Sequence, residues 1–222
     1  TGGTGALGTG VVGALLAGGA TCHVPLLKAS HRENYAFADH DRVHLGGPVD
    51  LTDEIATEAY YGSLPPLWAS IHIAGGFAMN PLTETSLADF RRMMDLNAAT
   101  AFICCREAVK SMRHSAHGGG RIVNVGARPA VSPTAGMVAY ATSKAAVTAM
   151  TTALAEELAP ENIWVNAVLP SVMDTPANRR GMPDADHTTW PSVDDVASTI
   201  VFLASPDNAV TRGGLIPVYG QA

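Results

Sequence analysis

Thr1-Gly2-Gly3-Thr4-Gly5-Ala6-Leu7-Gly8 spaces Gly2, Gly5 and Gly8 three residues apart at the mouth of an amphipathic segment. Over residues 6–17, Leu7, Val11, Val12, Leu15 and Leu16 fall on one helical stripe, and Gly18-Gly19 ends it. Glycine lets a backbone turn tightly and come close to a pyrophosphate. A helix N-terminus adds free N–H groups and a partial positive charge. Alone, a glycine triplet describes a plain loop into a helix equally well, so the surrounding pattern has to decide.

Outward from this opening, strand-like and helix-like periods alternate. Residues 21–27 and 42–51 read as strands, 52–62 as a helix, and 68–74 (WASIHIA) as an apolar strand stopped by Gly75-Gly76. Ser86 and Asp89 have the spacing of a capping box. Leu87, Phe90, Met93, Met94, Phe102, Ile103 and Val109 then give one long helical face. Gly118-Gly119-Gly120 makes a turn before a buried strand at 121–125 (RIVNV). A helix at 137–159 stops at Pro160, a strand follows at 163–169 (IWVNAVL), then a helix at 193–204 and a strand at 214–218 (GLIPV). The expectation is a single α/β domain over 1–222 with a doubly wound, Rossmann-type parallel sheet. A glycine-rich loop normally follows a strand. None precedes Thr1, so the first strand is missing from the chain as read, and the sheet is expected to split there. Residues 171–192 hold three prolines and no clear period, which makes them the candidate substrate loop.

Composition narrows the function. Of 222 residues, 47% are hydrophobic and 15% charged, which suits a sheet buried on both faces. A net charge of −6 without a basic stripe speaks against nucleic acid as a partner. No apolar run reaches the roughly 18–20 residues of a membrane span, and no signal peptide is visible. Cys22, Cys104 and Cys105 read as reduced, packed thiols. A cytoplasmic protein with a small-molecule partner is expected. The eight histidines lack metal spacing. His72 reads as a core residue, and His187 lies in the candidate substrate loop. Met93-Met94 reads as core and Arg179-Arg180 as a solvated face.

Tyr140-Ala-Thr-Ser-Lys144 places a phenol and an ammonium one helical turn apart, on one face. A nearby ammonium favours the phenolate and lowers the tyrosine pKa from near ~10. That suits Tyr140 to general acid–base work. At the end of the second strand, where an acid would bond the ribose of NAD, stand Leu26 and Leu27. Lys28, His31 and Arg32 follow, either as solvated loop charges or as partners for a 2′-phosphate. The cofactor expected is NADP or NAD, with a lean to NADP.

These residues resemble the short-chain dehydrogenase/reductase family along the whole chain. TGGTGALG is similar to its cofactor loop, Val49-Asp50-Leu51 to its adenine-contacting segment, and Ala74-Gly75 to its NAG motif. Asn97 falls at its helix asparagine, Tyr140 and Lys144 at its catalytic pair, and Pro170-Ser171-Val172-Met173-Asp174-Thr175 at the segment along the nicotinamide. The resemblance implies Tyr140, Lys144 and Asn97 as catalytic residues, with Asn97 supporting a water-linked proton path. It implies cofactor contacts from Gly2, Thr4, Gly5, Leu7, Gly8, Asp50, Leu51, Ala74, Gly75, Gly76, Tyr140, Lys144, Pro170 and Val172. Phe77 and Met173 are expected at the substrate. A homodimer or homotetramer through the long helices at 86–116 and 137–159 is implied as well.

One departure is informative. The family's serine, thirteen residues before the tyrosine, is Ala127 here. The quinoid dihydropteridine reductases lack that serine too. GALG at 5–8, AGG at 74–76, GAR with PTAGMVAY at 133–140, and DTPANRRGMPDAD at 174–186 followed by Trp190 resemble them. Phe77 stands where they carry a tryptophan, and Leu26 where they carry an acid. The expected activity is NAD(P)H-dependent reduction of a quinonoid dihydropterin or a similar activated ring. The alternatives are a carbonyl or alcohol reductase using Ser132 or water, and a nucleotide-binding sensor without turnover.

Overall fold

The computed structural model of the chain describes residues 1–222. In chain order the elements are α1 (Ala6–Ala17), β1 (Cys22–Pro25), β2 (Val43–Gly46), α2 (Glu54–Gly62), β3 (Ala69–His72), α3 (Leu87–Met93), α4 (Thr100–Arg113), β4 (Gly120–Val125), α5 (Val138–Glu157), β5 (Ile163–Pro170), α6 (Pro176–Gly181), α7 (Val193–Ala204) and β6 (Leu215–Val218). All pairings are parallel: β1 with β2 in one block, and β3-β4-β5-β6 in the other.

Why the strands are buried follows from their side chains. Every residue of β4 is buried. Ile122 packs with α2, α4 and α5 through Tyr61, Cys104, Ala108 and Leu158. Its neighbours Val123 and Val125 point the other way, onto Leu7 and Val11 of α1 and Val196 and Ile200 of α7. Period two in the strand thus feeds two helical layers, the doubly wound arrangement expected.

The expected split in the sheet is present: β1 and β3 do not pair, and a largely apolar cavity of about 700 Å³ lies between them. Thr1 sits at its end against β3. Its ammonium donates to the Ile71 carbonyl at 2.5 Å and its carbonyl accepts from the Ile73 N–H at 3.3 Å, the pattern of a parallel ladder.

Three boundaries differ from the sequence reading. β1 and β2 are shorter than 21–27 and 42–51. The second ends at Gly46, before Gly47 at φ +123 and Pro48, so Asp50 and Leu51 lie beyond the strand in a turn. The helical face from 86 onward is not one helix. It begins with the capping box of Ser86 and Asp89, then widens into a π-helical stretch at Met94–Ala99 before α4. Residues 171–192 contain the short α6, whose N-cap Thr175 accepts from the Asn178 N–H. No helix is long and apolar enough to cross a membrane.

Candidate active site

The glycine-rich opening folds as a loop into α1. Gly2 adopts φ +68, and a β-carbon there would stand 2.6 Å from the Ala74 nitrogen. A β-carbon on Gly8 would stand 2.1 Å from the Gly2 carbonyl oxygen, so the first helical turn presses directly on the loop. α1 starts from Gly5 with no side-chain cap and no acid in its first turn. Its leading N–H groups therefore keep their capacity for an anion. Thr4 is partly exposed beside them, and Leu7 turns its side chain into the core, leaving only its backbone to the loop.

Next to this loop, β3 runs out into Ala74-Gly75-Gly76. The Ala74 N–H donates to Thr1 Oγ1 at 3.3 Å. Asn97, on the π-helical stretch, clamps Gly76 from both sides. Its Oδ1 accepts from the Gly76 N–H at 2.9 Å and its Nδ2 donates to the Gly76 carbonyl at 3.0 Å. Nδ2 donates a second time, to Ser143 Oγ at 3.0 Å. Both hydrogens of the Asn97 amide are engaged in these contacts.

Tyr140 and Lys144 lie one turn apart at the start of α5, as their spacing predicts. Tyr140 is half-buried, with its ring edge-on to Phe77 at 5.0 Å between centroids and 73° between planes. Lys144 is buried, and its Nζ donates to the Val125 carbonyl at 2.8 Å, at the end of β4. A β-carbon on Gly75 would stand 2.4 Å from Asn97 Oδ1 and 3.4 Å from Lys144 Nζ, so the glycine, the amide and the ammonium meet.

The electrostatics correct one expectation. Burial pushes the Tyr140 phenol up to about 12 and draws the Lys144 ammonium down to about 8. Desolvation by burial is the cause of both shifts, raising the phenol where a nearby ammonium was expected to lower it.

The remaining predicted residues fall into place unevenly. Ala127 is buried two residues beyond Val125 and offers a methyl group. Phe77 is 61% exposed, so it is not a core residue. Pro170 closes β5 and Val172 is exposed, while Met173 packs against the α1–α7 layer. Asp50 turns its carboxylate back onto the Thr52 N–H and hydroxyl, which hold it below the usual carboxylate range, and Leu51 packs on the core. Of the basic residues after β1, Arg32 is paired with Asp39 at 2.7 Å. Arg179 is paired with Asp174, and His187 donates from Nε2 to the Met182 carbonyl at 2.8 Å and packs at a tilt against Trp190. His72 is a satisfied core residue: Nδ1 reaches Asn124 Oδ1 at 2.8 Å and Nε2 reaches Ser70 Oγ at 2.9 Å. Sequence reasoning missed Ser143. Its signal was its place three residues after Tyr140, on the same helical face.

The chain is similar to known proteins in both sequence and shape. A family model described as short chain dehydrogenase matches residues 1–186. Carbonyl reductase [NADPH] 2 from Sus scrofa is 31% identical over 178 residues, covering 76% of this chain and 72% of the pig protein. Galactitol 2-dehydrogenase from Rhizobium johnstonii is 33% identical over 190 residues, covering 79% and 73%. The solved structure of ElxO with NADP bound superposes with a TM-score of 0.87 at 23% identity, over 99% of this chain and 95% of that one. With the family model matching residues 1–186 and relatives 31% and 33% identical over more than two thirds of both chains, the chain belongs to the short-chain dehydrogenase/reductase family.

Proposed function

We propose that this NAD(P)-dependent oxidoreductase is a reductase of an activated, ring-shaped acceptor, with a quinonoid dihydropterin as the substrate to test first. The observation that carries the reading is Ala127. A buried methyl group stands where a second hydroxyl would polarise an ordinary ketone, leaving Tyr140 to supply the proton. An acceptor that is already electron-poor tolerates that loss.

The residues fit a dinucleotide. Gly2, Thr4, Gly5, Gly8 and the Leu7 backbone would hold the pyrophosphate at the uncapped start of α1. Asp50 and Leu51 would border the adenine. Ala74, Gly75, Gly76, Tyr140 and Lys144 would line the nicotinamide ribose, with Pro170 and Val172 along the ring. A reduced nicotinamide bound there supplies the hydride. Tyr140, protonated well above neutral pH, donates the proton from its Oη. Lys144 presents a cation to the ribose while Val125 fixes its position. Phe77 and Met173 would flank the substrate ring, and residues 171–192 would close over it. Lys28 and His31 near the adenosine end, together with the NADPH in the pig relative's name and the NADP of ElxO, support a lean to NADP. A dimer or tetramer would form through α4 and α5, where Met94, Ala98, Phe102, Ala146 and Met150 line a shallow apolar groove.

The names of the two relatives, a carbonyl reductase and a sugar-alcohol dehydrogenase, favour a second reading: reduction of a simple carbonyl with Ser132 or water in the missing role. One experiment separates them. The protein is titrated with NADH and NADPH by fluorescence, then given quinonoid dihydropterin or simple ketones while nicotinamide absorbance is followed. Rapid oxidation by the pterin, lost in Tyr140→Phe, supports the first reading. Oxidation by ketones alone, lost in Ser132→Ala, replaces it with the second. Binding without turnover on either points to another substrate or to a nucleotide sensor.

A further inference from the structure

Ser143 stands beside Lys144 on α5 and has no exposed surface. Its Oγ donates to the Tyr140 carbonyl at 2.8 Å, one turn back, and accepts from Asn97 Nδ2 at 3.0 Å. Through Asn97 the contact continues to both polar groups of Gly76. One hydroxyl therefore ties together three separate pieces of chain: the turn of α5 that carries the phenol, the π-helical stretch, and the loop after β3.

We infer that Ser143 is a positioning residue for the reaction, orienting the Asn97 amide so that the Gly75-Gly76 backbone stays in register with Tyr140. The inference rests on the reductase reading, because register between these parts matters only if hydride and proton meet at one substrate.

The physical argument is the amide's choice of rotamer. An asparagine side chain turned by half a revolution would offer N–H groups to the Gly76 N–H, a mismatch. Ser143 makes the observed orientation the better one, since its hydroxyl hydrogen is spent on the Tyr140 carbonyl and only its lone pairs face Asn97. It acts as an acceptor of fixed direction. Replacing it by alanine leaves an amide hydrogen of a buried asparagine unpaired. Asn97 would then be held by Gly76 alone, its preference weaker and the clamp looser.

The test is amide hydrogen exchange at Gly76, read beside a core amide such as Val123, in wild type, Ser143→Ala and Ser143→Cys. Ser143→Ala should speed exchange at Gly76 by about tenfold relative to Val123. Ser143→Cys, which keeps a weak acceptor, should fall between. A merely structural role would speed both amides together, and unchanged relative exchange at Gly76 in both variants would overturn the inference. Turnover adds a second arm: Ser143→Ala should lower kcat by about tenfold while NADPH affinity stays within about twofold. If the wild type turns over none of the acceptors, the reductase reading fails while the Gly76 exchange still decides whether Ser143 orients Asn97.

Discussion

The ammonium of Lys144 donates to the carbonyl of Val125 at 2.8 Å, joining α5 to the end of β4 at the point where the chain turns into Gly126 and Ala127. A buried cation with one neutral partner is costly unless a ligand completes its surroundings. Lys144→Met keeps the volume and removes the charge. It should weaken NADPH binding by at least about tenfold and lower turnover by about 10²-fold or more, measured by fluorescence titration and steady-state kinetics. Wild-type affinity in this variant would remove Lys144 from the cofactor site.

Gly75 and Gly62 make a matched pair. A β-carbon at Gly75 meets Asn97 and Lys144, whereas one at Gly62 meets nothing within 4 Å. Gly75→Ala should abolish detectable cofactor binding. Gly62→Ala, at the exposed end of α2, should bind normally and gain about 0.4–1 kcal/mol of stability. Equal behaviour of the two in a titration and a thermal melt would contradict the placement of Gly75.

Ala127 permits a gain-of-function test. Ala127→Ser restores a hydroxyl where the family usually has one. It should raise kcat/KM on simple ketones by about tenfold or more, and change the rate on an activated ring substrate by less than about threefold. A variant as inert on ketones as the wild type would show that the missing hydroxyl is not what restricts the substrate.

His72 sets a pH dependence. Burial pulls its pKa down to about 3. Since the imidazole of the unfolded chain titrates near ~6.5, the unfolded state binds the extra proton first as pH falls. The His72 contribution to stability should therefore be constant above about pH 7 and fall below about 6.5, by up to ~1.4 kcal/mol per pH unit. His72→Gln should start less stable, because Ser70 and Asn124 lose their partner, but flatten that slope. Parallel slopes in denaturant titrations at pH 5 and 7 would assign the acid sensitivity to other groups.

Much of this molecule is written in local pattern. The stripe of Leu7, Val11, Val12 and Leu16 is a helix face because its period is 3.6. RIVNV is a strand because Ile122, Val123 and Val125 are β-branched and Gly120 and Gly126 bound it. Gly2 and Gly8 mark the tight loop into α1 by spacing, and Tyr140 and Lys144 share a face because they are four residues apart. Ser86 with Asp89 announced the helix start that the structure shows. These features depend on neighbours within a few residues, so the sequence by itself determined them, and with them the α/β class. Tertiary contact decided the rest. It let Lys144 bond Val125 instead of Tyr140, raised the phenol rather than lowering it, and turned the Asn97 amide onto Gly76 and Ser143. Those outcomes depend on desolvation and on partners between nineteen and forty-six positions away in the chain. Periodicity carries no record of either, because burial and hydrogen-bond partnership are properties of the packed chain.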